Sequence, residues 1–109
     1  MAELDLPEAY RAELLAVLRA HVPDAEVWAF GSRLHGGAHA TSDLDLVVRN
    51  PRDPLRAQTK LGRLRDALSE SRLPILVDVL DWASIPESFR KEIDRSHVIL
   101  RSPSSETRP

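Results

Sequence analysis

The 109-residue chain is long enough to bury one hydrophobic core but leaves no room for a second, substrate-binding domain. At 42% apolar and 29% charged it has a globular composition, and its formal net charge of -2 provides no basic footprint for general binding to nucleic-acid phosphates, although a local basic cluster stays open. It has no cysteine, which excludes disulfides, thiolate metal sites and cysteine nucleophiles, and no apolar stretch near the ~20 residues of a membrane span, so a cytoplasmic protein is expected.

From Pro7 to His21, Tyr10, Leu14, Leu15, Leu18 and Val22 recur at the three- and four-residue spacing of an amphipathic helix, with Asp5 and Pro7 as start signals. The short apolar segment Ala25 to Phe30 ends on Gly31 and reads as a buried strand. "GSRLHG" is glycine-bounded and suits a single helical turn. A loop with His39, Thr41 and Ser42 then leads into "DLDLVV", which alternates as a strand does.

"RNPRDP" reads as a turn, with Asp53 as a helix N-cap and Pro54 at the first helical position. Leu61, Leu64 and Leu68 mark one face of a helix running to about Ser71. "PILVDVLD" reads as a third strand, apolar on both sides apart from its acids. Ser84 and Glu87 have capping-box spacing, followed by the helical face Ile85, Phe89 and Ile93. "HVIL" closes the ordered part as an edge strand, and the polar "RSPSSETRP" is expected to be disordered. The expectation is an α/β (α+β) fold, a small mixed sheet flanked by helices, with one domain over residues 1–101 and a tail over 102–109.

Chemistry concentrates in residues 31 to 45, "GSRLHGGAHATSDLD". On a strand, Asp43 and Asp45 share one face with Val47, while Leu44, Leu46 and Val48 take the other. With their Cα atoms about 6.5–7 Å apart, the two carboxylates can lean onto one hard cation or bridge a pair of them. Asp78 interrupts the apolar run Ile75 to Leu80 and is the third candidate; Asp81, three residues on, faces the other way and ranks below it. A solvated polar face is the plain alternative for an Asp-x-Asp, but a buried strand makes unpaired carboxylates costly. Gly31 and Ser32, at a turn out of a strand, offer backbone N–H groups and a hydroxyl to an anion. Together these features suit a nucleoside triphosphate with its metals.

Gly31-Ser32, ten intervening residues, Asp43-x-Asp45 and a later strand aspartate, Asp78, closely resemble the signature of the DNA polymerase β-like nucleotidyltransferase superfamily. The Gly-Ser-Arg-x-x-Gly form (Gly31, Ser32, Arg33, Gly36) and the short length are most similar to its minimal nucleotidyltransferase (MNT) family, over about Ala25 to Asp81. The resemblance implies two magnesium ions held by Asp43, Asp45 and Asp78, with Asp78 also helping to activate the attacking hydroxyl. Gly31 and Ser32 would hold the β- and γ-phosphates of ATP, with Arg33 adding positive charge.

By the same resemblance the expected partner is a helical HEPN-domain RNase toxin, and the expected function an antitoxin that transfers AMP to a tyrosine of that partner. No membrane and no direct nucleic-acid partner is expected. Transfer to a small hydroxyl compound such as an aminoglycoside, and neutralisation of the partner by binding alone, are the alternatives. One position departs from the pattern: His35 stands where many relatives carry a second arginine, so charge there depends on pH. His35 and His39, four apart, read as polar loop residues before a metal pair. His21 and His97 read as structural, and Trp28, Trp82 and Phe89 as core before base-stacking residues.

Overall fold

The computed structural model describes Leu4, residues 6–31, Leu34 and residues 43–103. Helix α1 (Glu8–His21) leads to strand β1 (Glu26–Phe30), β2 (Leu44–Arg49), helix α2 (Leu61–Glu70), β3 (Val77–Asp81), a 3-10 turn (Trp82–Ser84), α3 (Glu87–Arg95) and β4 (Val98–Arg101). The strands form one mixed sheet in the order β3-β2-β1-β4. β1 runs antiparallel to both β2 and β4, whereas β2 and β3 are parallel. The parallel pair requires a long crossover, and α2 supplies it.

The alternation in β2 sorts its side chains as the sequence pattern requires. Leu44, Leu46 and Val48 join Leu14 and Leu18 of α1 and Leu61, Leu64 and Leu68 of α2 in the larger core. Val47 points the other way, into a second cluster with Trp28, Trp82 and Ile93, edged by Phe30, Leu80 and Phe89. The sheet is therefore covered on both faces, by α1 and α2 on one side and by α3 with the 3-10 turn on the other.

The second cluster contains a fixed polar assembly. Arg49 Nη1 donates to Glu26 Oε1 at 2.7 Å, and Trp28 Nε1 donates to the same oxygen at 2.8 Å. The Arg49 guanidinium also lies 4.7 Å from the Trp28 ring centroid and 5.0 Å from that of Trp82. His97 stacks on Trp28 at 3.8 Å with 9° between the planes, while its Nδ1 lies 3.0 Å from the Ile93 carbonyl oxygen. Trp28, Trp82 and His97 thus serve packing, as their positions in the sequence suggest.

Four sequence expectations change. Asp53 and Pro54 do not start a helix: they lie in a turn in which Arg56 N–H donates to the Asp53 carbonyl, and α2 begins at Leu61 after Lys60. Asn50 competes for that stretch, its side-chain oxygen accepting from the N–H groups of Arg52 and Asp53. Ser84 does not cap α3, which follows Pro86; its hydroxyl donates to Asp81 Oδ2 instead. β3 is an edge strand, with Val79 buried but Asp78 exposed, so it is not covered on both sides. Arg101, the first residue of the polar C-terminal stretch, is a buried strand residue, its guanidinium donating to the Val22, Pro23 and Ala25 carbonyls.

The helical turn expected over "GSRLHG" lies outside the described residues except at its ends, where Leu34 N–H donates to the Gly31 carbonyl at 3.1 Å. The expected disordered tail lies outside them from residue 104 onward.

Leu46 is fully buried at the centre of the sheet. Leu46→Ala is expected to lower unfolding stability by about 2–5 kcal/mol, read as a reduced midpoint in urea denaturation.

Candidate active site

The acids meet through strand register. In the parallel β2–β3 pair, Leu44 aligns with Val77, Asp45 with Asp78, and Val47 with Leu80. Residues aligned on neighbouring strands share a face about 4.8 Å apart, so the Asp45 and Asp78 side chains stand next to each other. One hydrogen bond just before the strand secures this alignment: Leu44 N–H donates to the Leu76 carbonyl at 2.9 Å. Asp43 precedes β2 by one residue and, two positions before Asp45, falls on the same side.

On its other flank Asp45 faces Phe30, the last residue of β1. Phe30 packs edge-on against Phe89 of α3 at 5.7 Å. The α3 cluster therefore closes over Trp28, Val47 and Leu80 and ends at Phe30, leaving the two aligned aspartates at the open end of the sheet. Gly31 follows at once, with φ +88°, and a Cβ placed there would collide with Asp45 Oδ2. The missing side chain is a steric requirement here, because backbone and carboxylate already occupy the space.

Burial first, then the negative charges of Asp78 and Asp43, pushes the Asp45 carboxyl above its ordinary value. Asp45 is half-buried, while Asp43 and Asp78 are exposed. The expectation that all three acids sit on buried strands is corrected accordingly. What makes the group unusual is like charge gathered around one partly dehydrated carboxylate, with no ion pair to any of the three among the described residues.

Oxygen donors of this kind match a hard divalent cation. Among the described residues no three acidic or histidine side chains converge into a ready-made cage. The three carboxylates offer oxygen donors for part of a hard cation's coordination shell, with solvent or ligand oxygens able to fill the rest. That is the usual way magnesium is held.

Residues 11–101 match the family model described as a nucleotidyltransferase domain. The chain belongs to the nucleotidyltransferase domain family. It is 43% identical over 100 residues to the probable protein adenylyltransferase MntA of Haemophilus influenzae, an alignment covering 92% of this chain and 86% of that protein. Among solved structures it is similar to a toxin-antitoxin complex with AMP-PNP, with a TM-score of 0.68 at 20% identity over 88% of this chain and 76% of that one. A second likeness is to a toxin-antitoxin MntA-HepT complex, with a TM-score of 0.58 at 16% identity over 92% and 76% of the two chains. The superfamily resemblance read from the glycine-serine pair and the aspartates is borne out.

Within this nucleotidyltransferase domain, the structure brings together Gly31, Asp43, Asp45 and Asp78. Ser32 and Arg33, and with them His35, Gly36 and His39, lie outside the described residues. Asp81 stands apart on the other face, as the alternation predicts. Its carboxylate accepts from Gln58 N–H, Ala83 N–H and the Ser84 hydroxyl, which marks it as a structural anchor. The Leu76 carbonyl also helps set the acids' alignment. Backbone register carries no side-chain signal, so nothing in the residue pattern could have pointed to it.

Two outcomes follow from this geometry. Gly31→Ala is expected to cost about 1–3 kcal/mol in chemical denaturation, since the substitution adds left-handed strain to a collision with Asp45. In metal-free buffer, Asp45 in the native protein keeps its proton at pH values where the unfolded chain has released it. Native stability therefore falls as pH rises from the ordinary aspartate value of about 4 through the raised native one. Asp45→Asn should melt higher than the parent at pH 7, and the difference should vanish below about pH 4.

Proposed function

We propose that this nucleotidyltransferase domain is an antitoxin that transfers AMP from ATP to a tyrosine hydroxyl of a HEPN-domain RNase partner and thereby silences it. The observation that carries the reading is the alignment of Asp45 with Asp78 beside Gly31, within a chain 43% identical to a probable protein adenylyltransferase over nearly its whole length. The solved structures of similar fold, a toxin-antitoxin complex with AMP-PNP among them, support both the nucleotide and the kind of partner.

In this reading Asp43, Asp45 and Asp78 hold two magnesium ions, which when bound supply the charge that stabilises the entering and leaving oxygens. Asp78, exposed on the edge strand, accepts a hydrogen bond from the acceptor hydroxyl and orients its oxygen toward the α-phosphorus. A new phosphorus–oxygen bond forms to the tyrosine as the bond to pyrophosphate breaks, the hydroxyl proton leaving through the carboxylate or solvent. Gly31 leaves its backbone accessible beside Asp45, and with Ser32 it holds the β- and γ-phosphates, to which Arg33 adds positive charge. Catalysis is then mainly positioning and electrostatics. A cytoplasmic site of action agrees with the use of ATP; among the described residues no helix is long and apolar enough to cross a membrane.

The test is co-expression with the HEPN partner followed by intact-mass measurement of both proteins, alongside the double variant Asp43→Asn/Asp45→Asn. The partner should gain AMP units on tyrosine with the parent and none with the variant. An unmodified but stably bound partner would favour neutralisation by binding, and failure of any complex would redirect the search to small hydroxyl acceptors. Adding magnesium to ATP-saturated protein should raise the melting temperature of the parent more than that of the double variant, the added stability being about 2.7 kcal/mol at a hundredfold excess over the Kd of the aspartate site.

A further inference from the structure

Two adjoining hollows lie at the end of the sheet away from the aspartates. One, of about 170 Å³, lies between the turn after α1 (residues 22–25) and the loop that enters α2 (residues 56–60). The other, of about 360 Å³, is lined by Ala20, His21, Thr59, Lys60 and Arg63, and the two share Thr59 and Lys60. Asn50, which also borders the first hollow, directly follows β2 and lies five residues beyond Asp45. That separation is about 17 Å, too far for the two sites to share a phosphate group.

The walls are strongly cationic. Three cations, Arg56, Lys60 and Arg63, all exposed, line the hollows together with the His21 imidazole, against a single acid, Asp24. Among the described residues none of these four bases makes an ion pair or a side-chain hydrogen bond, although the chain as a whole carries a net negative charge. Cations gathered without partners repel, and an anion between them reverses the sign of that interaction. Lys60 is also the N-cap of α2, whose start has no side-chain cap hydrogen bond, and a helix N-terminus favours negative charge.

Both walls are held without any ligand. Gln58 N–H donates to Asp81 Oδ2 at 3.1 Å, tying the loop to the sheet, and Arg56 N–H donates to the Asp53 carbonyl at 2.9 Å. On the opposite wall the Arg101 guanidinium binds the carbonyls of Val22, Pro23 and Ala25. Arg56, Lys60 and Arg63 thus line a concave space from an anchored loop and the first turn of α2. A polynucleotide reader would instead display them as an extended stripe.

We propose that this hollow is a second anion site, which takes the phosphate groups of a small polyphosphorylated ligand independently of the aspartates. Free pyrophosphate and a nucleoside triphosphate share the chemistry it recognises, a compact cluster of negative oxygens matched to arginine and lysine.

The experiment is a titration of the full chain with inorganic pyrophosphate and, separately, ATP, in buffer containing a metal chelator, followed through backbone amide resonances. Saturable shifts centred on Thr59, Lys60 and Arg63 are expected, with the same affinity in Asp43→Asn/Asp45→Asn. Lys60→Glu/Arg63→Glu should weaken binding by about tenfold or more, because it replaces attraction with repulsion. If that variant fails to fold, Lys60→Gln/Arg63→Gln, which removes charge alone, should show the same direction of change. Tighter binding of ATP than of pyrophosphate would identify a nucleotide site, and equal binding a site that reads phosphate alone. Absence of saturable shifts at residues 59–63, shifts confined to the neighbourhood of Gly31, or unchanged affinity in the charge variants would overturn the proposal.

Discussion

The parallel pairing of β2 with β3 is the constraint on which the candidate active site depends. It sets Asp78 level with Asp45, and neither residue alone defines a site. A one-residue slip would turn every β3 side chain to the opposite face, sending Asp78 into the space of Val79 under α2 and bringing an apolar residue beside Asp45. The slip is resisted by burial of Val79 and by the Leu44–Leu76 backbone hydrogen bond. The same apolar contacts that stabilise the sheet therefore hold like charges together, and Asp45 holds its proton more tightly than an ordinary aspartate, first through burial and then through the charges of Asp78 and Asp43.

A site under that tension needs a foundation that does not relax. The second core cluster provides one: Arg49 is held by Glu26 and lies against Trp28 and Trp82, Trp28 is stacked on His97, and Phe30 meets Phe89. These contacts fix β1 and β2 on the face that carries Asp45. Gly31 then allows the chain to leave β1 without crowding the carboxylate. The nucleotidyltransferase chemistry proposed for this end relies on fixed charges at the moment of transfer, which a rigid sheet end supplies.

Charge is distributed unevenly along the sheet. The aspartates occupy one end, while the loop entering α2 and the end of α1 gather bases at the other. Asp81 links the two regions: it belongs to the strand that carries Asp78, yet its carboxylate holds the loop of the basic hollow and the 3-10 turn leading to α3. A near-neutral overall charge conceals this separation.

Much of the fold was legible in the sequence because helical and strand periodicities are local. The faces of β2, the leucine stripe of α2, the edge position of β4 and the core role of Trp28 and Trp82 all follow from spacing and residue type. The same locality explains the misreadings. Asp53-Pro54 and Ser84-x-x-Glu87 match helix-start patterns, but Asn50 and Asp81 take up the polar groups concerned and shift the helix starts to Lys60 and Pro86. By itself the sequence determined the composition of the aspartate-glycine motif and the face on which Asp43 and Asp45 lie, since a strand alternates with period two whatever surrounds it. Only the tertiary structure decided that Asp78 lies on an exposed edge beside Asp45, and that Arg56, Lys60, Arg63 and His21 line two adjoining hollows. Those facts depend on strand order, register and helix docking, which arise from contacts between residues far apart in the chain.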